Sequence, residues 1–181
     1  MSENDKKEGV ASENTTTDEK NLSDSDLTRA DLRRANLNRA NLRGANLSVA
    51  DLRGANLNSA NLNWANLFGV SMQQADLRRA NLSKTEFGLA YMHKVDLNRT
   101  NLTGADMSNS VIRKAKLRNS DLSETDFWDA DLRFSKNLHY ARLPKGWREV
   151  LEAAGLIPKG CYDDDNAAPT ATDVRRLALN W

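Results

Sequence analysis

The chain has few of the residues that define several protein classes. Its 181 residues include one cysteine, Cys161, which excludes an internal disulfide and a thiolate metal cluster. Nine glycines and three prolines are too few for a collagen-like or proline-rich linker protein. No apolar run reaches the roughly 18 residues of a membrane-spanning helix, and residues 1–20 are acidic and polar, unlike a secretory signal. We therefore expect a cytoplasmic protein without membrane association.

Motifs for catalysis and cofactors are also missing. The two histidines, His93 and His139, have no cysteine or carboxylate partner at ligand spacing, so we expect surface residues rather than catalysts or metal ligands. The sequence has no glycine-rich phosphate loop, nucleophile elbow or HExxH segment. It therefore predicts a non-enzymatic protein with no catalytic, cofactor-binding or metal-binding residues.

Leucine, alanine and asparagine are abundant instead, with 24, 22 and 20 copies, and they recur with a period of five. Every fifth residue from Leu22 to Leu132 is large and apolar, and we call these positions the centres. Two residues before each centre from Leu27 onward is a small position, occupied by Ala, Ser, Thr or Val. The face position between them is usually Asn or Asp. On an α-helix this period would rotate each centre by about 140° from the last, so no apolar stripe would form and the period disfavours a long helix.

An extended backbone fits the same pattern. The small residue and the centre then point to one side, and the face residue points to the other. Because the next inward pair begins three residues later, the chain must turn a corner once per unit to keep facing one axis. The pattern therefore predicts a solenoid whose coils stack about 4.8 Å apart, with outward Asn side chains forming ladders along the stack.

Units such as Ala35-Asn36-Leu37 and Ala75-Asp76-Leu77 resemble the pentapeptide-repeat family, whose motif is Ala-(Asp/Asn)-Leu-X-X. The resemblance covers residues 21–136. It implies an all-β solenoid: a right-handed quadrilateral β-helix with four units per coil and nearly six coils. A leucine-rich repeat does not fit, because its unit is longer and its leucines are unequally spaced.

The five-residue spacing slips after residue 136, since Leu143 comes one residue late, and regular coiling is predicted to end there. Trp147, Val150 and Leu151 then recur at helical spacing. They predict a short C-terminal α-helix that caps the open end of the last coil, with a homodimer contact through the same helix as the alternative. The predicted domains are a disordered N-terminal tail (1–20), the repeat β-helix (21–136), a capping segment with a helix (137–160) and a flexible C-terminal tail (161–181).

Charge is segregated when outward residues are sorted onto four faces, each collecting every fourth unit. Two adjacent faces are basic, and the other two are acidic to neutral. The bias indicates either charge kept for solubility or a basic wall for an acidic partner or nucleic acid. Aromatic residues on that wall are limited to Tyr91 and Phe134, which argues against recognition of a nucleic-acid single strand by stacking, and we do not expect nucleic acid as the partner. The candidate basic surface comprises Arg33, Arg53, Arg78, Arg79, Arg99, Arg113, Lys114 and Arg118.

Few large apolar residues are predicted to point outward. Val49, Phe68 and Leu89 fall on the acidic face within two coil steps, and Trp64 comes just before the corner on the coil that carries Phe68. Such a cluster is a candidate site for a partner protein, because large exposed apolar patches are uncommon on monomers. Coverage by one of the chain's own tails is the alternative.

Two functions remain after these exclusions. The residues predict an interaction scaffold, a rigid rod that presents this patch and its charged sides to an unidentified partner protein. The family resemblance implies an alternative, since some members are DNA mimics that bind DNA gyrase and protect it from poisons. That mimicry depends on a long, strongly acidic rod, whereas two faces of this one are basic.

Overall fold

The computed structural model describes residues 20–132, residue 135 and residues 141–147. In this part of the chain the secondary structure is a series of parallel β-bridges, each one residue long, at the face positions. The series starts with Asn21 paired to Asn41 and proceeds in steps of five to Val111 paired with Asp131. Each bridge of this series joins residues 20 apart, so four units make one coil. The handedness and the total number of coils stay predictions.

Each unit turns its corner through the two residues after the centre, which we call the first and second turn positions. In the unit centred on Leu27, the N–H of Ala30 donates to the Leu27 carbonyl at 3.0 Å and closes a four-residue turn. The second turn position has a φ between 54° and 68° in every unit from residue 24 to residue 129. This left-handed backbone favours glycine, and four of the glycines lie there: Gly44, Gly54, Gly69 and Gly104.

Asparagine and aspartate at the face position support the turn that follows. The Oδ1 of Asn36 accepts the backbone N–H of Asn38 at 3.3 Å, and the same bond recurs at most face positions. Asparagines also bond between coils, since Nδ2 of Asn41 donates to Oδ1 of Asn21 at 3.1 Å. The predicted ladders are confirmed by this bond and by its equivalents at Asn56, Asn61 and Asn81.

The centres and small positions fill the axis of the coil. Every centre from Leu37 to Leu102 is fully buried, and the small positions from Ala40 to Thr100 are at most 2% exposed. Buried hydroxyls donate to backbone carbonyls, mostly within their own turn, as when Oγ1 of Thr85 donates to the Leu82 carbonyl at 2.6 Å. Oγ1 of Thr125 instead donates to the Leu102 carbonyl of the preceding coil. Because close-packed side chains occupy the axis, the surfaces available for binding are the faces and corners.

Pairing continues past residue 136, where regular coiling was predicted to end. Arg142 forms a parallel bridge with Asp121, 21 residues away, and the Leu122 N–H donates to the Arg142 carbonyl at 2.7 Å. The partner of Asp121 in this bridge therefore lies one position later than the 20-residue register would place it.

The chain after this bridge turns over the core. Trp147 is half-buried, and its ring centroid lies 5.0 Å from that of Phe127. Trp147 thereby packs against the core, and its predicted capping role stays a prediction. The other predicted cap residues, Val150 and Leu151, lie outside the described residues, as do the predicted tails except for Lys20.

Candidate functional site

An open groove of about 560 Å³ runs along the acidic face of the coil between two corners. Trp64 and Lys84 line it at one corner, and Phe68 and Leu89 line it at the other. The three apolar side chains are 57%, 46% and 50% exposed in sequence order. The structure therefore brings together three of the four predicted patch residues. The fourth, Val49, is 53% exposed and lies one coil away, outside the groove lining.

Trp64 is held at its corner by the residue one coil further on. Trp64 and Lys84 both occupy the second turn position, and the Lys84 ammonium lies 4.7 Å from the Trp64 ring centroid. A cation over an indole face at this distance is a cation–π contact. It restrains the Trp64 ring while leaving more than half of the side chain exposed.

The position of the Phe68 ring depends on a glycine in the next coil, Gly88. A Cβ at Gly88 would lie 3.2 Å from Cδ2 of Phe68, so the ring occupies the space that a side chain at 88 would need. Val49 packs in a similar way, with Cγ2 3.7 Å from the Cβ position of Gly69. These two glycines give the apolar side chains a flat backbone surface to lie on.

Three of the four patch residues occupy a backbone conformation that suits them poorly. Val49, Trp64 and Leu89 have φ values of 59°, 61° and 59°. Left-handed backbone costs an L-residue roughly 1–2 kcal/mol, and four other units have glycine at the equivalent position. Those units show that the fold does not require a large side chain there, although most units carry a non-glycine residue in the same conformation.

The floor of the groove is negatively charged. Glu86, Asp106 and Asp126 are exposed face residues of successive coils, paired by backbone bridges, so neighbouring carboxylates are stacked at the coil spacing of about 4.8 Å. Glu86 and Asp106 line the groove, together with Glu124. Among the described residues, no basic side chain comes within ion-pair distance of these carboxylates.

The predicted basic surface divides into neutralised and free cations. Arg33 is paired with Asp31 of its own unit at 2.6 Å, because face and first turn residues are two apart in the chain. Equivalent pairs join Arg53 to Asp51, Arg78 to Asp76 and, between coils, Arg113 to Asp131. The other four, within the described ranges, have no carboxylate at ion-pair distance: Arg79, Arg99, Lys114 and Arg118. The basic surface is therefore smaller than formal charge suggests.

These ion pairs make the stability of the coil depend on pH in the acidic range. The hydrogen bond from Arg33 lowers the pKa of Asp31 from 3.8 to about 2, and hydrogen bonds from Arg53 and Arg78 lower the pKa values of Asp51 and Asp76. A carboxyl group whose pKa is lower in the folded than in the unfolded protein contributes to the free energy of unfolding at pH values above its unfolded-state pKa. This contribution is lost as the pH falls through the folded-state pKa.

We therefore expect the urea midpoint to decrease between about pH 4 and pH 2. The loss should be smaller in an Asp31→Asn/Asp51→Asn/Asp76→Asn variant, because Asn still accepts the turn N–H but does not titrate. Since these groups are exposed, about 1 M salt should reduce the effect. Equal pH profiles for the two proteins, measured by circular dichroism, would contradict the role assigned to the three pairs.

Part of the groove was missed from the sequence. Lys84, Glu86 and Gly88 were not predicted as site residues, although each lies within a few residues of Leu89. The signal that identifies them is the 20-residue register, which places Lys84 beside Trp64 and Gly88 beside Phe68. In the part that the structure covers, no three His, Cys, Asp or Glu side chains are grouped to hold a metal ion. The described residues also contain no helix long and apolar enough to span a membrane.

Comparisons with family models and with solved structures identify the same family. A family model described as pentapeptide repeats matches in eight copies, over residues 21–58, 35–74, 45–83, 71–109, 90–129 and 110–145. Among solved structures, the chain is 31% identical to HetL, a pentapeptide repeat protein involved in heterocyst differentiation regulation from the cyanobacterium Nostoc sp. strain PCC 7120, with 67% of each chain covered and a TM-score of 0.38.

Two other solved structures are less similar in sequence. Full-length QnrB1, a plasmid-mediated fluoroquinolone resistance protein, is 20% identical over 75% of this chain and 70% of its own, with a TM-score of 0.39. A pentapeptide repeat protein of the Arabidopsis thaliana thylakoid lumen is 23% identical over 88% of both chains, with a TM-score of 0.25. No curated protein matches the chain.

Proposed function

Because the chain belongs to the pentapeptide repeat family, we propose that it is a non-enzymatic scaffold that binds a partner protein through the groove between Trp64 and Phe68. Proteins of this family are generally structural or interaction proteins. The observation that carries the proposal is the set of exposed Trp64, Phe68 and Leu89 side chains converging on one groove.

The architecture suits such a role. Each groove residue projects from a turn whose N–H is bonded to the next coil, as when the Leu89 N–H donates to the Ser108 carbonyl at 3.2 Å. The side chains are therefore presented from a continuous backbone ladder, which reduces the ordering entropy lost on binding. Aromatic residues in such positions often dominate interface energy, at about 2 kcal/mol or more each.

A Trp64→Ala/Phe68→Ala variant should lose the partner. Immobilised full-length protein would be used to capture proteins from a lysate, and the bound set would be compared with that of the variant. Loss of one such anchor should weaken binding by at least about 30-fold, and loss of both should weaken it further. Tyr91→Ala, which removes a 53% exposed aromatic residue from the basic side, is the matched control and should change nothing. Identical captured sets for wild type and the double variant would refute the proposal.

The acidic face favours a second candidate, a DNA mimic that binds DNA gyrase. The stack of Glu86, Asp106 and Asp126 gives one side of the rod a series of carboxylates without basic partners among the described residues. The free cations on the opposite side oppose this candidate. A gyrase supercoiling assay with and without a fluoroquinolone separates the two, since an interaction scaffold of another kind should have no effect at micromolar concentration.

The C-terminal end has a capping role within this proposal. The contact of Trp147 with Phe127 supports coverage of the last coil by the segment that begins there. A homodimer through the predicted helix remains the alternative, and the cytoplasmic location remains a prediction from the sequence.

A further inference from the structure

We propose that the groove binds a segment of a partner protein in which arginine or lysine adjoins large apolar side chains. This inference rests on the proposed function and names the chemistry of the partner. The basic side chains would lie on Glu86 and Asp106, and the apolar ones would pack on Trp64, Phe68 and Leu89.

Stacked carboxylates on the other faces are neutralised within the protein. Asp31 and Asp51 form one backbone-bridged pair, and each holds an arginine of its own unit, at 2.6 and 2.5 Å. Asp76 and Asp96 form another pair, in which Asp76 holds Arg78 at 2.6 Å and Asp96 holds Lys116 at 3.1 Å. In both of these pairs the coil therefore supplies a cation to each carboxylate.

The groove departs from this rule. Glu86 and Asp106 are in register, exposed and, within the described part of the chain, without a cation at ion-pair distance. The nearby ammonium of Lys84 lies over the Trp64 ring instead. Two like charges at the coil spacing of about 4.8 Å repel each other, and a guanidinium or ammonium from outside would relieve that repulsion.

The walls of the groove determine the rest of the ligand. Trp64 and Phe68 lie at opposite corners, with the acidic floor between them. A cation on this floor would have an apolar or aromatic surface on either side, a setting that favours the long aliphatic stems of arginine and lysine and their apolar neighbours. The negative floor disfavours nucleic acid and anionic membrane, so a protein segment is the fitting occupant.

The test measures the affinity of full-length protein for a labelled synthetic peptide of alternating arginine and leucine, by fluorescence anisotropy. A peptide of alternating glutamate and leucine is the matched probe. A Glu86→Gln/Asp106→Asn variant removes the two floor charges while conserving side-chain shape. An Asp31→Asn/Asp51→Asn variant removes the same amount of charge from another face and serves as the control.

We expect the arginine peptide to bind at least about tenfold more tightly than the glutamate peptide, and the floor variant to weaken its binding by about tenfold while the control does not. Equal binding of the two peptides, or an unchanged floor variant, would overturn the inference. If the Trp64→Ala/Phe68→Ala variant loses binding and the floor variant does not, the proposed partner site is supported and only its proposed preference for cations is refuted. If neither variant has any effect, the proposed function fails too.

Two other occupants have distinct outcomes. The C-terminal residues Arg175, Arg176 and Trp181 have similar chemistry. Peptide binding that appears only in an Arg175→Glu/Arg176→Glu variant would assign the groove to the chain's own segment and overturn the assignment to a partner. Peptide binding could instead be lost as the protein concentration increases, with a matching increase in sedimentation coefficient. That result would assign the groove to a second copy of the chain and would also overturn the assignment to a partner.

Discussion

Truncation of Phe87 to alanine should lower the free energy of unfolding by about 3–5 kcal/mol. Among the described residues, Phe87 is the largest fully buried side chain, and it is a centre between two residues that line the groove, Glu86 and Gly88. Its neighbours in the stack, Leu67 and Met107, belong to coils fixed by backbone bonds, as when the Phe87 N–H donates to the Asp106 carbonyl at 2.6 Å. Because those coils cannot collapse into the space, the cavity remains and its cost adds to the lost transfer energy.

The chain provides a matched control for this variant. Phe68→Ala removes the same side chain from a position that is 46% exposed, so we expect a loss of about 1 kcal/mol. Both variants would be compared by urea denaturation followed by circular dichroism. Since repeat proteins unfold through nearest-neighbour interfaces, the m-value should be examined for loss of two-state behaviour. Equal losses for Phe87→Ala and Phe68→Ala would show that the centres do not carry the core.

The core was predictable because a large apolar centre and a small residue two positions before it recur in every unit from Leu27 to Leu132. A large centre and a small residue two positions earlier can share one side of the backbone only in an extended unit, and the structure buries both. The slip near residue 136 was visible too, although its consequence was not. A single inserted residue displaces the register by one, yet Arg142 still pairs with Asp121, at a separation of 21 residues.

The groove was only partly predictable, for reasons of geometry. Exposure of Trp64, Phe68 and Leu89 followed from their places in the unit, but their convergence depends on which residues are stacked 20 positions apart. Gly88 has no side chain to attract notice, and its effect is apparent only when the Phe68 ring lies over it. The charge of a face was similarly misleading, because counting arginines ignores the aspartate two residues earlier that neutralises Arg33.

The left-handed turn position was a further signal that the sequence contained. Glycines 44, 54, 69 and 104 all fall two residues after a centre, which indicates a positive φ at that place in every unit. Valine is poorly suited to this conformation because its branched Cβ crowds the backbone. Glycine in place of Val49 should therefore raise the free energy of unfolding, whereas alanine in place of Phe87 should lower it.

A Val49→Gly/Leu89→Gly variant should be more stable than the wild type by about 1–2 kcal/mol. Each replacement removes roughly 1–2 kcal/mol of left-handed strain and adds about 0.5–1 kcal/mol of chain entropy, which leaves a net gain at each site. Little packing is lost, since the two side chains are 53% and 50% exposed. Ser48→Gly, in the same turn as Val49 but outside the residues with positive φ, is the control and should be destabilising by about 0.5–1 kcal/mol.

The same variant should bind the partner less well, because Leu89 lines the groove, whereas Val49→Gly alone should leave binding unchanged. Opposite changes in urea midpoint and partner affinity would show that the strained leucine is retained for recognition rather than for folding. A decrease in stability on replacing Val49 would instead mean that its contact with Gly69 outweighs the strain, and the inference from backbone conformation to function would fail at that corner.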